Sequence, residues 1–237
     1  MKISPAVLFL LAVVCLGPGL PWIAAAEEDG VALAIVYDTS GSMRDPVHDK
    51  DGRLSPKYVI ANRALISIAK QIQTFTTNHS ADAPVKINAG LYTFDNGKIR
   101  EAIKFGPFDP NVFENWAADF SSPGGGTPLG NALKKAAHAV LESPLSRKHI
   151  LIITDGMNTV GPAPAAVLPQ LNREAETKQT GLSVHFIAFD VDARDFEGVK
   201  KQGATVVGAA DEAQLQTQLD FILQNQILLE KAESPKK

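Results

Sequence analysis

Cysteine is nearly missing from this 237-residue chain: the only one is Cys15. Beyond it, a fold that depends on disulfides and a reaction run by a thiol are both excluded. Also missing after residue 26 is any apolar run of the ~20 residues that cross a bilayer. Neither charge dominates, since 23 Lys and Arg stand against 26 Asp and Glu for a net of −3, and no basic block stands out. That balance argues against nucleic acid or an anionic membrane surface as partner. The histidines at 48, 79, 138, 149 and 185 show no ligand spacing, so a histidine-based zinc site is not expected. Internal repeats and low-complexity segments are absent too.

What is present starts with the layout of a secretory signal peptide over residues 1–26. Lys2 precedes an apolar core at 6–16, then come Gly17, Pro18, Gly19 and Pro21, and Ala24-Ala25-Ala26 offers a small-residue cleavage site. The apolar core is too short for an uncleaved anchor. Bulky Val14 ahead of Cys15 argues against a lipid attachment there. The expectation is export, to a periplasm or out of the cell, with the sole cysteine removed. Residues 27–230 then read as one domain, long enough for a sizeable core, and 231–237 as a short charged tail.

The domain is organised around residues 31–43, VALAIVYDTSGSM. Seven uncharged apolar residues fit a strand buried on both faces of a parallel sheet. They deliver Asp38, Thr39, Ser40, Gly41 and Ser42 to a loop. Oxygen-only side chains at the carboxyl end of a central strand suit a hard divalent cation, and open α/β sheets place ligands at that edge. Residues 44–55 read as a polar loop, after which Pro56 opens a helix capped by Ser55. Ala61, Leu65, Ile68, Ile72 and Phe75 give that helix an inward face. A strand at 85–94, a turn at Asp95-Asn96-Gly97 and an antiparallel edge strand at 98–105 follow. Asp109 and Pro110 start a short helix.

Next comes SSPGGGTPLG at 121–130, with Pro128 opening a helix and Thr127 fixed at the junction. A second dry strand, HILIIT at 149–154, ends in Asp155-Gly156. Helices near 163–179 and 195–202, strands at 182–189 and 205–207, and a terminal helix over 211–230 complete the pattern. Strands alternating with helices predict an α/β fold: a doubly wound, mostly parallel sheet with one antiparallel edge strand and helices on both faces. Trp116, Phe108 and Phe113 read as core cover.

Singly, each of the three polar places has a plain explanation as a turn or helix cap. As an ordered set, DTSGSM, GGGTPLG and ITDG resemble the von Willebrand factor type A domain and its metal-ion-dependent adhesion site, over nearly the whole chain after residue 26. The resemblance implies that the hydroxyls of Ser40, Ser42 and Thr127 are direct ligands. It implies that Asp38 and Asp155 act through coordinated waters and by orienting the serines. Mg²⁺ is the expected ion, with Mn²⁺ or Ca²⁺ able to use the same oxygens. The implied function is capture of an Asp or Glu carboxylate of a partner protein by a monomeric, non-enzymatic adhesion or complex-assembly module.

The chain departs from the simplest family pattern in the 44–55 loop, whose Asp45, Asp49 and Asp51 are either a second cation site or, the favoured reading, a solvated charged loop. Two rival functions stand beside the first: a metal-assisted hydrolase, and a scaffold with a purely structural metal. Asp-Thr-Ser-Gly also resembles the Asp-Thr-Gly of aspartic proteases, but a serine intervenes and the helix-rich pattern contradicts their all-β architecture. The three motifs contain no His, Lys or Glu to serve as general base.

Overall fold

Along the first strand, large and small side chains alternate, and this decides what packs on each face. The computed structural model describes residues 27–78, 85–95 and 97–230; the expected signal peptide at 1–26 and tail at 231–237 lie outside the described residues. Strand β1 (Glu28–Tyr37) turns Val31, Leu33, Ile35 and Tyr37 to one core and Ala32, Ala34 and Val36 to the other, all fully buried. The small side supports close approach of an alanine-rich helix, α3 (Leu129–Leu141), through Ala132, Ala136 and Ala137.

Helix α1 (Lys57–Asn78) lies on the opposite face with α2 (Pro110–Asp119) and α6 (Glu212–Ile222). Alongside α3 lie α4 (Pro164–Thr177) and the short α5 (Glu197–Lys200). The other strands are the hairpin pair β2 (Pro46–His48) and β3 (Leu54–Pro56), then β4 (Lys86–Asp95), β5 (Lys98–Pro107), β6 (Leu145–Thr154), β7 (Ser183–Phe189) and β8 (Thr205–Ala209). The main sheet runs β5-β4-β1-β6-β7-β8, with only the β4–β5 pairing antiparallel. Register sets Ile35 against Leu91 on one side and Leu151 on the other, so β1 and β6 are central and dry. This is the expected doubly wound α/β fold. Among the described residues no helix is long and apolar enough to cross a membrane.

Several local expectations need correction. The polar loop at 44–55 contains the β2–β3 hairpin, and the reason is Asp49: its carboxylate accepts from the Asp51 and Arg53 amides and the Ser55 hydroxyl. Ser55 is therefore engaged within the hairpin and does not cap α1, and Pro56 ends β3 instead of opening the helix. Those contacts give Asp49 an organising role within the hairpin, in keeping with a charged loop rather than a second cation site. The hairpin is pinned at a distance by the Lys50 amide on Glu212, which also holds Arg63 at 2.7 Å. Phe113 is buried, Trp116 packs against the same core, and Trp116 stacks on Phe120 at 5.0 Å, so these rings do cover the core.

Strand β6 begins at Leu145, earlier than its apolar residues indicate. Arg147 and Lys148 are buried there because carbonyls and carboxylates receive them: Lys148 Nζ reaches Leu145 O, Glu27 and Ser143 O, and Arg147 reaches the Leu228 and Glu230 carbonyls. Beside them His149 Nδ1 faces His185 Nε2 at 3.4 Å, and His149 Nε2 lies 2.9 Å from a Glu230 carboxylate oxygen. Burial first, then the neighbouring His149, pushes His185 down to about 4, against weaker upward pulls from Glu230 and Gln226. His185 is thus neutral when folded, while the unfolded chain takes up a proton near its ordinary value of 6.5. The stabilisation is complete above that value and is lost as pH falls from there toward 4. Unfolding free energy should drop by up to about 3 kcal/mol across that window, and His185→Gln should flatten the slope, both read from urea melts at stepped pH.

Candidate metal centre

Three loops meet at the carboxyl edge of β1 and β6. After Tyr37 the chain leaves the sheet, and a single helical turn at Gly41–Arg44 follows, anchored by fully buried Met43. Thr39, itself buried, bonds both the Phe94 carbonyl (2.7 Å) and the Phe94 amide (2.9 Å), so the loop is tied to the end of β4. The glycine-rich loop is tied to it in turn: the Gly124 amide donates to Thr39 O at 2.7 Å, and the Gly41 amide to Gly125 O at 3.1 Å. Gly125 sits at φ +79°, and a β-carbon on Gly126 would lie 2.9 Å from Val160 Cγ2, so this close approach requires glycine.

Asp38 and Asp155 both end dry strands, and neither reaches solvent freely. Asp38 Oδ1 accepts from the Ser40 amide at 2.8 Å, and Oδ2 accepts from the Thr154 hydroxyl at 2.5 Å. Ser40 and Ser42 place their Oγ atoms 3.1 Å apart, and the Ser42 hydroxyl donates to Asp155 Oδ1 at 2.9 Å. Asp155 Oδ2 receives the Lys57 ammonium at 3.2 Å, and the same ammonium lies 3.0 Å from Asp190. Burial, then repulsion from Asp155, lifts Asp38 to about 6 despite its donors. Burial likewise raises Asp155, against the pull of Lys57 and Ser42.

Four of the five sequence-predicted site residues, Asp38, Ser40, Ser42 and Asp155, therefore form one continuous cluster. Thr127 enters the same rim through its backbone: its amide donates to Thr159 Oγ1 at 2.8 Å and its carbonyl accepts from the Thr159 amide at 2.9 Å. No side-chain hydrogen bond links Thr127 to Ser40 or Ser42 among the described residues, and α3 takes no side-chain cap from it. Reading the sequence missed Thr154, Thr159, Lys57 and Asp190, and it grouped Thr39 with the loop oxygens without its tie to β4. Thr39 and Thr154 lie inside the motifs, where an inward hydroxyl beside a buried carboxylate was the available signal. Lys57 and Asp190 had none, because their pairing depends on the fold.

Among the described residues, no three His, Cys, Asp or Glu side chains gather into a group able to hold a metal. A cation here would have to rest on hydroxyl oxygens backed by Asp38 and Asp155. That donor set fits a hard divalent ion, because the two carboxylates are buried and repel one another, and the described partners of Asp38 are neutral.

The family pattern of the von Willebrand factor type A domain matches residues 33–158, which contain all three motifs. The chain belongs to that family. Solved VWA-type structures share its fold at low identity. One is the PilB minor pilin from Streptococcus sanguinis, at 16% identity and TM-score 0.61 over 82% of this chain and 61% of the pilin. Another is the vWF domain of the type V pili tip protein Mfa5 from Porphyromonas gingivalis, at 13% identity and TM-score 0.59 over 87% and 98%. A third is proximal thread matrix protein 1 from the mussel byssus with a zinc-occupied MIDAS motif, at 16% identity and TM-score 0.58 over 84% and 48%. The chain thus spans about 61% of the pilin and 48% of the thread protein. No curated protein matches it.

The site's electrostatics generate a prediction for the metal-free protein. Thr154→Val keeps the shape but removes a donor from a buried carboxylate, and should lower stability by roughly 1–3 kcal/mol in urea melts with EDTA. Unchanged stability would show that this hydroxyl does not support Asp38.

Proposed function

We propose that this VWA domain is a metal-dependent protein-binding module that takes up an acidic side chain of a partner through a divalent cation, Mg²⁺ being the best fit. Ser40, Ser42 and Thr127 are its direct oxygen ligands, and Asp38 and Asp155 hold the serines and the ion's waters. The observation that carries this is the unbroken contact from Ser40 Oγ to Ser42 Oγ to Asp155 at a rim that also holds buried Asp38.

Bound there, Mg²⁺ would supply a Lewis acid with an exchangeable position for a carboxylate. The chain's own residues do the rest. Thr154 and the Ser40 amide fix Asp38, so both of its oxygens are oriented before any ion arrives. Asp155 accepts the hydrogen bond of the Ser42 hydroxyl, so Ser42 Oγ accepts from Ser40 and keeps a second lone pair for an ion. Neutral hydroxyls transfer little charge, so an ion held by Ser40, Ser42 and Thr127 would stay attractive to an incoming acid.

Neighbouring VWA structures support the reading, being pilus and thread proteins, one with zinc in the corresponding motif. Hydrolysis is less well supported: Lys57, the ammonium that the fold sets beside Asp155, is ion-paired to two carboxylates that hold its pKa up against burial, so it is no general base. We further read the domain as residues 27–230 of an exported monomer whose leader is removed.

Titration calorimetry with Mg²⁺ should show one site, weakened tenfold or more by Thr127→Ala. A partner captured from the envelope of the producing cell in Mg²⁺ should elute in EDTA and fail to bind that variant. Capture indifferent to both would sink adhesion through the ion, and Mg²⁺ binding without any effect on capture would favour the structural-metal scaffold.

A further inference from the structure

Resting on that reading of the site, a second observation concerns the cation already built into it. Lys57 projects from the first turn of α1 with its side chain 6% exposed, beside an Asp155 side chain that is 0% exposed. A fixed ammonium at this point opposes a divalent ion, because it holds one oxygen of a carboxylate the ion needs and adds like charge to the same rim. Asp190 answers it. Its carboxylate lies 3.0 Å from Lys57 Nζ, just past the carboxyl end of β7.

The backbone at Asp190 is held in an uncommon shape to do so. Its φ is +54°, in the left-handed region that non-glycine residues seldom occupy, and its amide donates to Ala209 O at 2.7 Å across the β7–β8 edge. In this conformation the chain turns sharply after Phe189 while the carboxylate meets the lysine. Asp38, Asp155 and Asp190 against Lys57 leave two negative charges at the rim, the complement of one divalent cation.

We propose that Asp190 is a positioning residue for the cation site: it neutralises Lys57, so that Asp155 stays aligned on Ser42 and both buried carboxylates remain available to the ion. Among the described residues its side chain is ion-paired with Lys57, and it acts on the site through that lysine. Its half-exposed carboxylate also makes this the part of the site most open to salt.

The test is a double-mutant cycle on Mg²⁺ affinity, measured calorimetrically with the purified chain. Asn tolerates the left-handed conformation, so Asp190→Asn removes the charge and keeps the turn. It should weaken Mg²⁺ binding about tenfold while leaving the melting temperature in EDTA nearly unchanged. In a Lys57→Met background the same substitution should change affinity by no more than about twofold. Equal losses in both backgrounds, or no loss from Asp190→Asn alone, would overturn the proposal. Should Lys57→Met not fold, Lys57→Gln serves as the uncharged background. Absence of Mg²⁺ binding by the wild-type chain would instead remove the function on which the proposal rests.

Discussion

Everything at the rim follows from a carboxylate placed where water does not reach it. β1 is sealed on both faces, so the first polar residue after it, Asp38, emerges into a setting with almost no solvent. Charge in such a place demands compensation. The surrounding loops supply hydroxyls and amides, which are neutral, and Asp155 at the end of the adjacent strand adds a second negative charge instead of relieving the first. A fold that concentrates negative charge this way is stabilised by whatever positive charge it can admit, and the strand order, with β6 beside β1, forces the two carboxylates together.

The loops are assembled around that constraint by backbone bonds. Gly124 and Gly41 clasp the glycine-rich loop to the DTSGSM turn, and Thr39 clasps the turn to β4. The side chains proposed to face an ion therefore carry little of the burden of holding the loops. Thr39, Thr154 and Thr159 tie the backbone and Asp38 in place, which leaves the proposed ligands Ser40, Ser42 and Thr127 out of those ties except through the Thr127 backbone.

Much of this was legible in the sequence, for physical reasons that differ between parts. The dry strands announced themselves as uninterrupted apolar runs, and the alternation of strand and helix fixed a parallel sheet. Asp109 and Pro110 do open α2 as an N-cap and first-turn pair, since that signal is local. The 44–55 hairpin was not legible, because Asp49 substitutes one carboxylate for the apolar alternation that normally marks paired strands. The start of β6 was hidden too: Arg147 and Lys148 look like surface residues until Glu230 and Glu27 meet them. At the site, the motif residues could be named, but the contact of Lys57 with Asp155 and Asp190 spans three elements and leaves no trace in spacing.

The loop after β6 is fastened to the start of α3 at more than one point. Thr159 and Thr127 exchange two hydrogen bonds, Asn158 accepts from the Gly130 amide, and a β-carbon at Gly130 would meet Pro162 O at 2.0 Å. Thr127 is consequently coupled to the segment carrying Met157 and Val160, two exposed apolar side chains. Under the proposed function, occupancy at the rim would thereby be geared to the contour of the surface that a visitor first meets.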